Sequence, residues 1–409
     1  MKVVRDPIHG YIEISEPEFS LIDTLAFQRL RGIKQLARAD LVYPSLVHTR
    51  FEHSLGVMHV ASEMGKRLKL EEPQIKALRA AALLHDIGHG PYSHVFENVL
   101  ENGQHEDVTC KIITENEEMV EAIGRSGLEP EDIVEVFDDN TSISHEILSS
   151  PLDADKIDYL LRDAYHAGVA YGLFDYHRLI WTLDRHHDGH NDILCTAAKG
   201  RDALLSFVLA RHFMHLQVYQ HHVRAISDNM LVRAIRLGKS EGVFPRELFD
   251  VSSPDFLRIF LEYDDDKMAR DGLSRTEGSA RRIFDSLRRR CLFKRAFQRT
   301  PKEVEDAAKR KKLAEWFRER APELESRIST KAGVPPELVI CYLMRIDNPL
   351  SPDNAIKEPM VKVGEHLKEL QELVDFRPKE ATQQGMYVFC PSVMKDQVTK
   401  AIIEVIADL

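Results

Sequence analysis

A chain whose metal-binding side chains lie on three separate amphipathic stretches can use them together only if it folds those stretches into helices that converge. Leu84-His85-Asp86-Ile87-Gly88-His89-Gly90 places adjacent His and Asp side chains at one helix end, with another His one turn on. Further candidates lie upstream in Arg50-Phe51-Glu52-His53 and downstream in Asp153-Ala154-Asp155-Lys156-Ile157-Asp158-Tyr159. From Pro73, a helix start, Ile75, Leu78, Ala82, His85 and Asp86 fall along one stripe. His53, Val57, Val60 and Met64 share helical spacing, so His53 opens the buried face of its own helix. A third helix carries Asp155, Tyr159 and Arg162 on one side, with Lys156 and Asp163 on an overlapping side. A His-Asp pair alone is commonly no more than a hydrogen-bonded helix terminus. Four such residues at helix ends, His53, His85, Asp86 and Asp155, read as a metal centre of two nitrogens and two carboxylates. That set suits Fe, Mn, Zn, Ni or Mg, and sequence does not choose among them.

The rest of the chain sets the expected frame. Residues 1–240 read as mostly helical, with few alternating runs. Glu115–Asp139 is acidic and poor in apolar residues, which fits surface helices or a mobile insertion, and Asp184–Asn191 reads as a turn before a short strand at 192–196. Helical periodicity returns over 203–236, and residues 241–324 form a charged, helical extension. After Pro335 the stretches 337–344 and 386–390 look like strands and 395–409 like a closing helix, so a small α+β domain is expected over 325–409. The expected class is mostly α, a helical core with a small C-terminal α+β domain.

With 409 residues and 43% hydrophobic content the chain can bury a large core. No apolar run reaches the roughly 18 residues of a membrane helix and no secretory signal opens the chain, so a cytoplasmic protein is the expectation. Five scattered cysteines without a CxxC pair read as buried reduced thiols. A net charge of −11 argues against broad attraction to nucleic acid or acidic membranes. The basic runs Arg288-Arg289-Arg290 and Lys309-Arg310-Lys311-Lys312 then read as solvated helix faces.

The spaced pattern His…His-Asp…Asp resembles the HD superfamily of metal-dependent phosphohydrolases. Longer strings, Asp6-Pro7-Ile8-His9-Gly10, Phe27-Gln28-Arg29-Leu30-Arg31, Thr49-Arg50-Phe51-Glu52-His53-Ser54-Leu55-Gly56, His85-Asp86-Ile87-Gly88-His89-Gly90-Pro91, Asp155-Lys156-Ile157-Asp158-Tyr159 and Tyr219-Gln220-His221, look like its deoxynucleoside triphosphate triphosphohydrolase branch. The likeness runs over residues 6–221 and more weakly to about 295. It implies an HD-domain helical core and hydrolysis at the α-phosphorus of a dNTP, giving a deoxynucleoside and inorganic triphosphate, in the service of dNTP pool regulation. It assigns His105 as the acid that protonates the leaving 5′-oxygen, with Glu97 orienting it where a human member of the branch has Asp, and His89 and His94 as further active-site histidines.

By the same resemblance Arg50, Lys156 and Arg211 contact phosphates, Tyr159 and Asp163 hold the 3′-hydroxyl, and Gln35, Leu36 and Tyr219 crowd out a 2′-hydroxyl. Additional Mg²⁺ would travel with the nucleotide phosphates. A second nucleotide site for GTP or dGTP, between subunits of a homo-oligomer (tetramer or dimer), would use Lys2, Val3, Asp23, Gln28 and Arg31, with Arg178, Lys199, Arg290 and Lys294 at a neighbouring effector site. Ala197 departs from that pattern, standing where the human member has Arg. Two other readings use the same residues. One is a phosphohydrolase for a nucleoside monophosphate, cyclic nucleotide or single-stranded nucleic acid, and the other a nucleotide-sensing oligomer with vestigial catalysis.

Overall fold

Local signals in the sequence explain where the three site-bearing helices begin. Thr49 caps the helix Arg50–Arg67 in a capping box with Glu52, whose carboxylate accepts from the Thr49 N–H at 2.8 Å. Glu71 and Gln74 form the same device at the helix Glu72–Leu84, with Pro73 in its first turn. The Asp153 side chain accepts from the Lys156 N–H and opens the helix Ala154–Ala167, which ends at Gly168 in the left-handed region. Val57, Val60, Ala61 and Met64 of the first helix and Leu78, Ala81 and Ala82 of the second are all fully buried. At roughly 1.5–3 kcal/mol for each large apolar side chain removed from water, this seam fixes where the helix ends meet.

The computed structural model describes residues 2–300, 303, 306–346, 358–374 and 383–408. Strands β1 (Lys2–Asp6) and β2 (Gly10–Ile14) form an N-terminal hairpin in which Asp6 pairs with Gly10. Sequence periodicity missed it because each strand offers only five residues, and buried Ile12 and Ile14 are all that β2 gives the core. The acidic stretch after residue 115 forms two helices, Glu117–Ser126 and Pro130–Asp138, rather than an unstructured insertion. Of the expected turn at 184–191, residues 188–191 form the turn and 184–187 belong to strand β3 (Leu183–His187), which pairs antiparallel with β4 (Asp192–Ala197). Their polar sequence is tolerated because much of β3 faces solvent.

The helical periodicity over 203–236 is carried by two α-helices with a break between them. Arg201–Met214 passes into one turn of π-helix at His215–Tyr219 before His222–Ser240 resumes, which swings Tyr219 toward the site. The charged stretch that follows carries the helices Phe256–Phe260, Asp265–Arg275 and Gly278–Arg288.

Past residue 290 the chain builds two sheets. Strand β5 (Lys294–Arg299) is one edge of an antiparallel sheet with order β5-β9-β6, where β6 is Ile340–Ile346 and β9 Gln383–Cys390. Strands β7 (Met360–Val363) and β8 (His366–Glu369) extend the β3-β4 pair, with β7 parallel to β4. Trp316, Phe317, Leu324 and Ile328 join Val388, Cys390, Val398 and Ile402 in a second core. The expected boundary at residue 325 therefore falls inside the helix Ala321–Ala332, whose neighbours already pack on the C-terminal sheet. The closing helix runs Lys395–Ala407, and Leu409 lies outside the described residues. The cysteines are all free, but only Cys195, Cys341 and Cys390 are buried; Cys291 is exposed at a helix end, correcting the expectation for all five. No helix among the described residues is long and apolar enough to cross a membrane.

Gly88 shows how tightly the His-Asp turn is docked. A Cβ there would meet the His105 carbonyl oxygen at 2.2 Å and the Thr109 nitrogen at 2.4 Å, both backbone atoms. Gly88→Ala should cost about 1–3 kcal/mol in a denaturant titration and push the helix carrying His105 away from the site.

Candidate metal centre

His53, His85 and Asp86 bring ligand atoms within 4.8 Å of one another, and Asp155 lies beside the two histidines. His53 Nε2 lies 3.0 Å from Asp155 Oδ1 and 3.6 Å from Asp86 Oδ2, while His85 Nε2 lies 3.4 Å from Asp86 Oδ1 and 3.8 Å from Asp155 Oδ1. Bonds of about 2.0–2.2 Å to one cation would set neighbouring ligand atoms about 3.0–3.4 Å apart, so small movements of these side chains would enclose an ion.

The outer nitrogens of both rings are already committed. His53 Nδ1 donates to Asp158 Oδ2 at 2.8 Å, and His85 Nδ1 donates to the Ala82 carbonyl oxygen at 2.8 Å. A carbonyl can only accept, so the proton of a neutral His85 sits on Nδ1 and its Nε2 lone pair faces the centre. That nitrogen is buried and has no hydrogen-bond partner. An orphaned, inward lone pair between two carboxylates is the chemistry of a cation site.

The electrostatics agree. Burial pushes the His53 imidazole toward neutrality, yet Asp155 and Asp158 outweigh it and drive its pKa up to about 10. Burial would raise Asp86, but Arg50, His85 and His89 hold it well below the usual carboxylate range, and Asp155 is likewise depressed by His53 and His85. The centre holds negative charge that demands positive charge.

Around it, Arg50 pairs with Asp86, its Nε donates to Ser93 Oγ at 2.7 Å, and its buried second terminal nitrogen has no partner. Ser93 donates on to the Lys34 carbonyl at 2.7 Å. Tyr92 and Ser93 both adopt positive φ (62° and 56°), a conformation non-glycine residues avoid, and buried Asp265 accepts from the Tyr92 and Lys34 N–H groups at 2.6 and 3.2 Å. Burial raises Asp265 to about 7 despite these bonds.

His85, Asp86 and Asp155 open into a cleft of about 440 Å³ lined also by Gln35, Arg50, His89, His94, His105, Lys156 and Tyr159. Glu97 Oε1 lies 2.8 Å from His105 Nδ1, 2.9 Å from His94 Nδ1 and 3.4 Å from His89 Nδ1. Burial lowers His105, Glu97 overcomes it, and the net shift is upward; Glu97 itself is held far below the ordinary range by His105 and His94.

Lys156 Nζ pairs with the Asp153 cap instead of projecting freely. Asp163 accepts from Tyr219 Oη at 2.7 Å and from His48 Nε2 at 2.7 Å, and Tyr159 and Tyr219 pack edge to face at 6.0 Å. Gln35 is buried with Oε1 unpartnered, beside buried Leu36, and Arg211 is close enough to Tyr159 to affect its ionisation.

The nine residues expected at effector sites do not form one cluster in a single chain. Lys2 lies over Phe19, on the helix that ends at Asp23, with Val3 exposed beside it, while Arg31 donates to Gln28 and covers Phe51. Arg178 and Lys199 flank exposed Trp181, and Arg290 and Lys294 line a separate cavity of about 520 Å³.

Residues 50–163 match the HD domain and residues 174–407 the HD associated region. The chain belongs to the HD-domain phosphohydrolase family. A hypothetical protein of Aquifex aeolicus shares this fold at TM-score 0.77 and 30% identity, covering 98% of this chain and 99% of that one. A phosphohydrolase of Bacteroides thetaiotaomicron does so at TM-score 0.77 and 25% identity, covering 95% and 99%. The deoxynucleoside triphosphate triphosphohydrolase SAMHD1 of Gallus gallus is 31% identical over 76% of this chain and 58% of its own length. An uncharacterized protein of Methanocaldococcus jannaschii is 37% identical over 64% and 56% respectively. The chain thus spans a little over half the length of these curated relatives. An HD domain implies a divalent metal, and the group His53, His85 and Asp86, with Asp155 beside it, could hold one.

Sequence reasoning gave no role to Asp158, Ser93, His48 or Asp265. Asp158 had a signal, a carboxylate one turn after Asp155 and four residues before Arg162 on an inward face; Asp265 had none, since it acts from a distant helix start. Asp158→Asn should weaken metal retention by about 10–100-fold, measured as metal content after dialysis against a chelator. It should also lower unfolding free energy by about 3–5 kcal/mol, because Arg162 is left buried with half its partners.

Proposed function

We propose that this HD-domain protein is a metal-dependent dNTP triphosphohydrolase, acting by in-line attack of water at the α-phosphorus. The observation that carries the reading is the His105–Glu97 pair facing the same cleft as the two-His, two-Asp centre. A divalent ion there supplies Lewis-acid polarisation of a phosphoryl oxygen and acidifies water. His53, His85, Asp86 and Asp155 would hold it.

The chain's own residues do the rest. Arg50 offers its unpartnered nitrogen to a phosphate oxygen, and Lys156 adds charge if a triphosphate draws it from Asp153. Arg211 is the third phosphate contact. Tyr159 and Asp163 receive the 3′-hydroxyl, with Asp163 already aimed by Tyr219 and His48, while Gln35, Leu36 and Tyr219 leave no room for a 2′-hydroxyl. As the bond from Pα to O5′ breaks, the His105 imidazolium, held by Glu97 at Nδ1, gives O5′ its Nε2 proton, and the proton lost by the attacking water goes to solvent. His89 stacks on His105, with ring centroids 4.0 Å apart, and His94 closes the outer side.

Curated relatives named as dNTP triphosphohydrolases support this substrate, and the phosphohydrolase of matching fold supports the reaction class. We extend the proposal to activation by GTP or dGTP in a homo-oligomer, with Lys2, Val3, Asp23, Gln28 and Arg31 at one site and Arg178, Lys199, Arg290 and Lys294 at the other. Their dispersal over one chain's surface fits sites completed by a second subunit.

Purified, metal-analysed protein incubated with each dNTP and NTP, with and without GTP, should release deoxynucleoside and inorganic triphosphate from dNTPs alone. Orthophosphate or nucleoside monophosphate as the product would transfer the site to another phosphate ester. Because Glu97 raises the His105 pKa, activity should fall as pH rises through that raised value. Glu97→Gln removes the raising partner, so the alkaline limb of the kcat/KM profile should move to lower pH as well as drop in height.

A further inference from the structure

Three imidazoles and a carboxylate form a second cluster beside the HD centre. His89, His94, Glu97 and His105 each bring a ligand atom within 4.8 Å of all the others. The three nitrogens are all Nδ1, and all three face one oxygen, Glu97 Oε1, at 3.4, 2.9 and 2.8 Å.

One carboxylate oxygen cannot satisfy all three rings. His94 Nδ1 is aligned with it, His105 Nδ1 lies 2.8 Å from it and 3.1 Å from Glu106 Oε2 but off the hydrogen-bond line, and buried His89 Nδ1 has no aligned partner. His89 is 1% exposed, and its other nitrogen lies 3.3 Å from Asp86 Oδ1, so the unpartnered Nδ1 can serve nothing but the cluster. Ligands at about 2.0–2.1 Å from a tetrahedral ion stand about 3.3 Å apart, so with the three nitrogens 2.8–3.4 Å from the Glu97 oxygen and all four atoms within 4.8 Å of one another, modest side-chain movement would enclose an ion. Neutral imidazoles with one carboxylate are borderline donors that favour zinc and its neighbours over Mg²⁺. The cluster opens to the cleft through half-exposed His94, so an ion has a way in.

We propose that His89, His94, His105 and Glu97 bind a second divalent transition-metal ion of the zinc class, distinct from the ion of the HD centre. The consequence for turnover rests on the functional reading above. A ring bound to a cation through Nδ1 is a neutral imidazole whose remaining Nε2–H is a far weaker acid than that of the imidazolium paired with Glu97, so the loaded cluster removes the acid that protonates O5′. Excess zinc then switches hydrolysis off without displacing the first metal.

Holoprotein carrying its own metal is titrated with ZnCl₂, passed through a desalting column and analysed for both metals. The expected result is one further zinc per chain with the first metal retained. His94→Ala and Glu97→Gln, each checked by circular dichroism and for first-metal content, should weaken that second binding by about tenfold or more, in keeping with what lost metal partners cost. Failure to take up a further ion, or uptake undiminished in both variants, overturns the proposal. Because the readout is bound metal, it stands or falls independently of whether dNTPs prove to be the substrate. In the functional arm, zinc-inhibited hydrolysis should recover on brief treatment with a weak chelator; loss of the first metal in step with inhibition would overturn the switching claim.

Discussion

One buried carboxylate holds the centre of this molecule in register. Asp158 accepts from His53 Nδ1 at 2.8 Å, from His9 Nε2 at 2.6 Å and from Arg162 through two nitrogens at 2.9 Å each. Arg162 in turn reaches Asp6 at 2.8 Å, and Asp6 closes the hairpin turn by accepting from the Ile8 and His9 N–H groups. The N-terminal hairpin, the helix Arg50–Arg67 and the helix Ala154–Ala167 are therefore tied at a single anion. Buried ion pairs contribute little net stability relative to apolar packing. What this one supplies is direction: it decides which way His53 points. Gly56 is the price of the arrangement, since a Cβ there would lie 1.9 Å from Asp158 Oδ1.

The same logic extends outward in layers. Asp158 aims His53, the Ala82 carbonyl aims His85, and Asp265 pins the strained pair Tyr92-Ser93 that receives Arg50. Strain at Tyr92 and Ser93 is tolerated because three separate segments, around residues 34, 92 and 265, are bonded together there. Each reactive group thus has a partner that fixes its orientation before any ligand arrives, and preorganisation of this kind is what electrostatic catalysis requires.

Much of this centre was legible in the sequence because short-range rules govern it. Helix starts at Thr49, Glu71 and Asp153 announce themselves through capping residues, and apolar spacing of three and four tells which face turns inward. Placing His53, His85, Asp86 and Asp155 at the ends of such faces was enough to anticipate their convergence. The parts that escaped depend on long-range or weakly patterned features. Strands β1, β3, β5, β7 and β8 are four to six residues long and partly solvated, so no alternation marks them. The break at His215–Tyr219 carries no Pro or Gly, and periodicity runs across it. The pairing of Lys156 with Asp153 could not be read from a residue whose charge alone recommended it for phosphate. Asp265 gains its meaning only from a fold that brings it against residues 34 and 92.

The parallel pairing of β4 with β7 has an implication for how the protein is made. Cys195 lies opposite Met360 in that ladder, so a strand that follows the HD helices is completed by one about 165 residues further along the chain. Loop closure over such a separation is slow and delays the reward for the intervening order. The HD helices can assemble early from neighbouring segments, whereas the sheet beside them must wait until residues 360–363 have been made. A nascent polypeptide interrupted before β7 would leave β4 as an open edge, ready to recruit other unfinished chains.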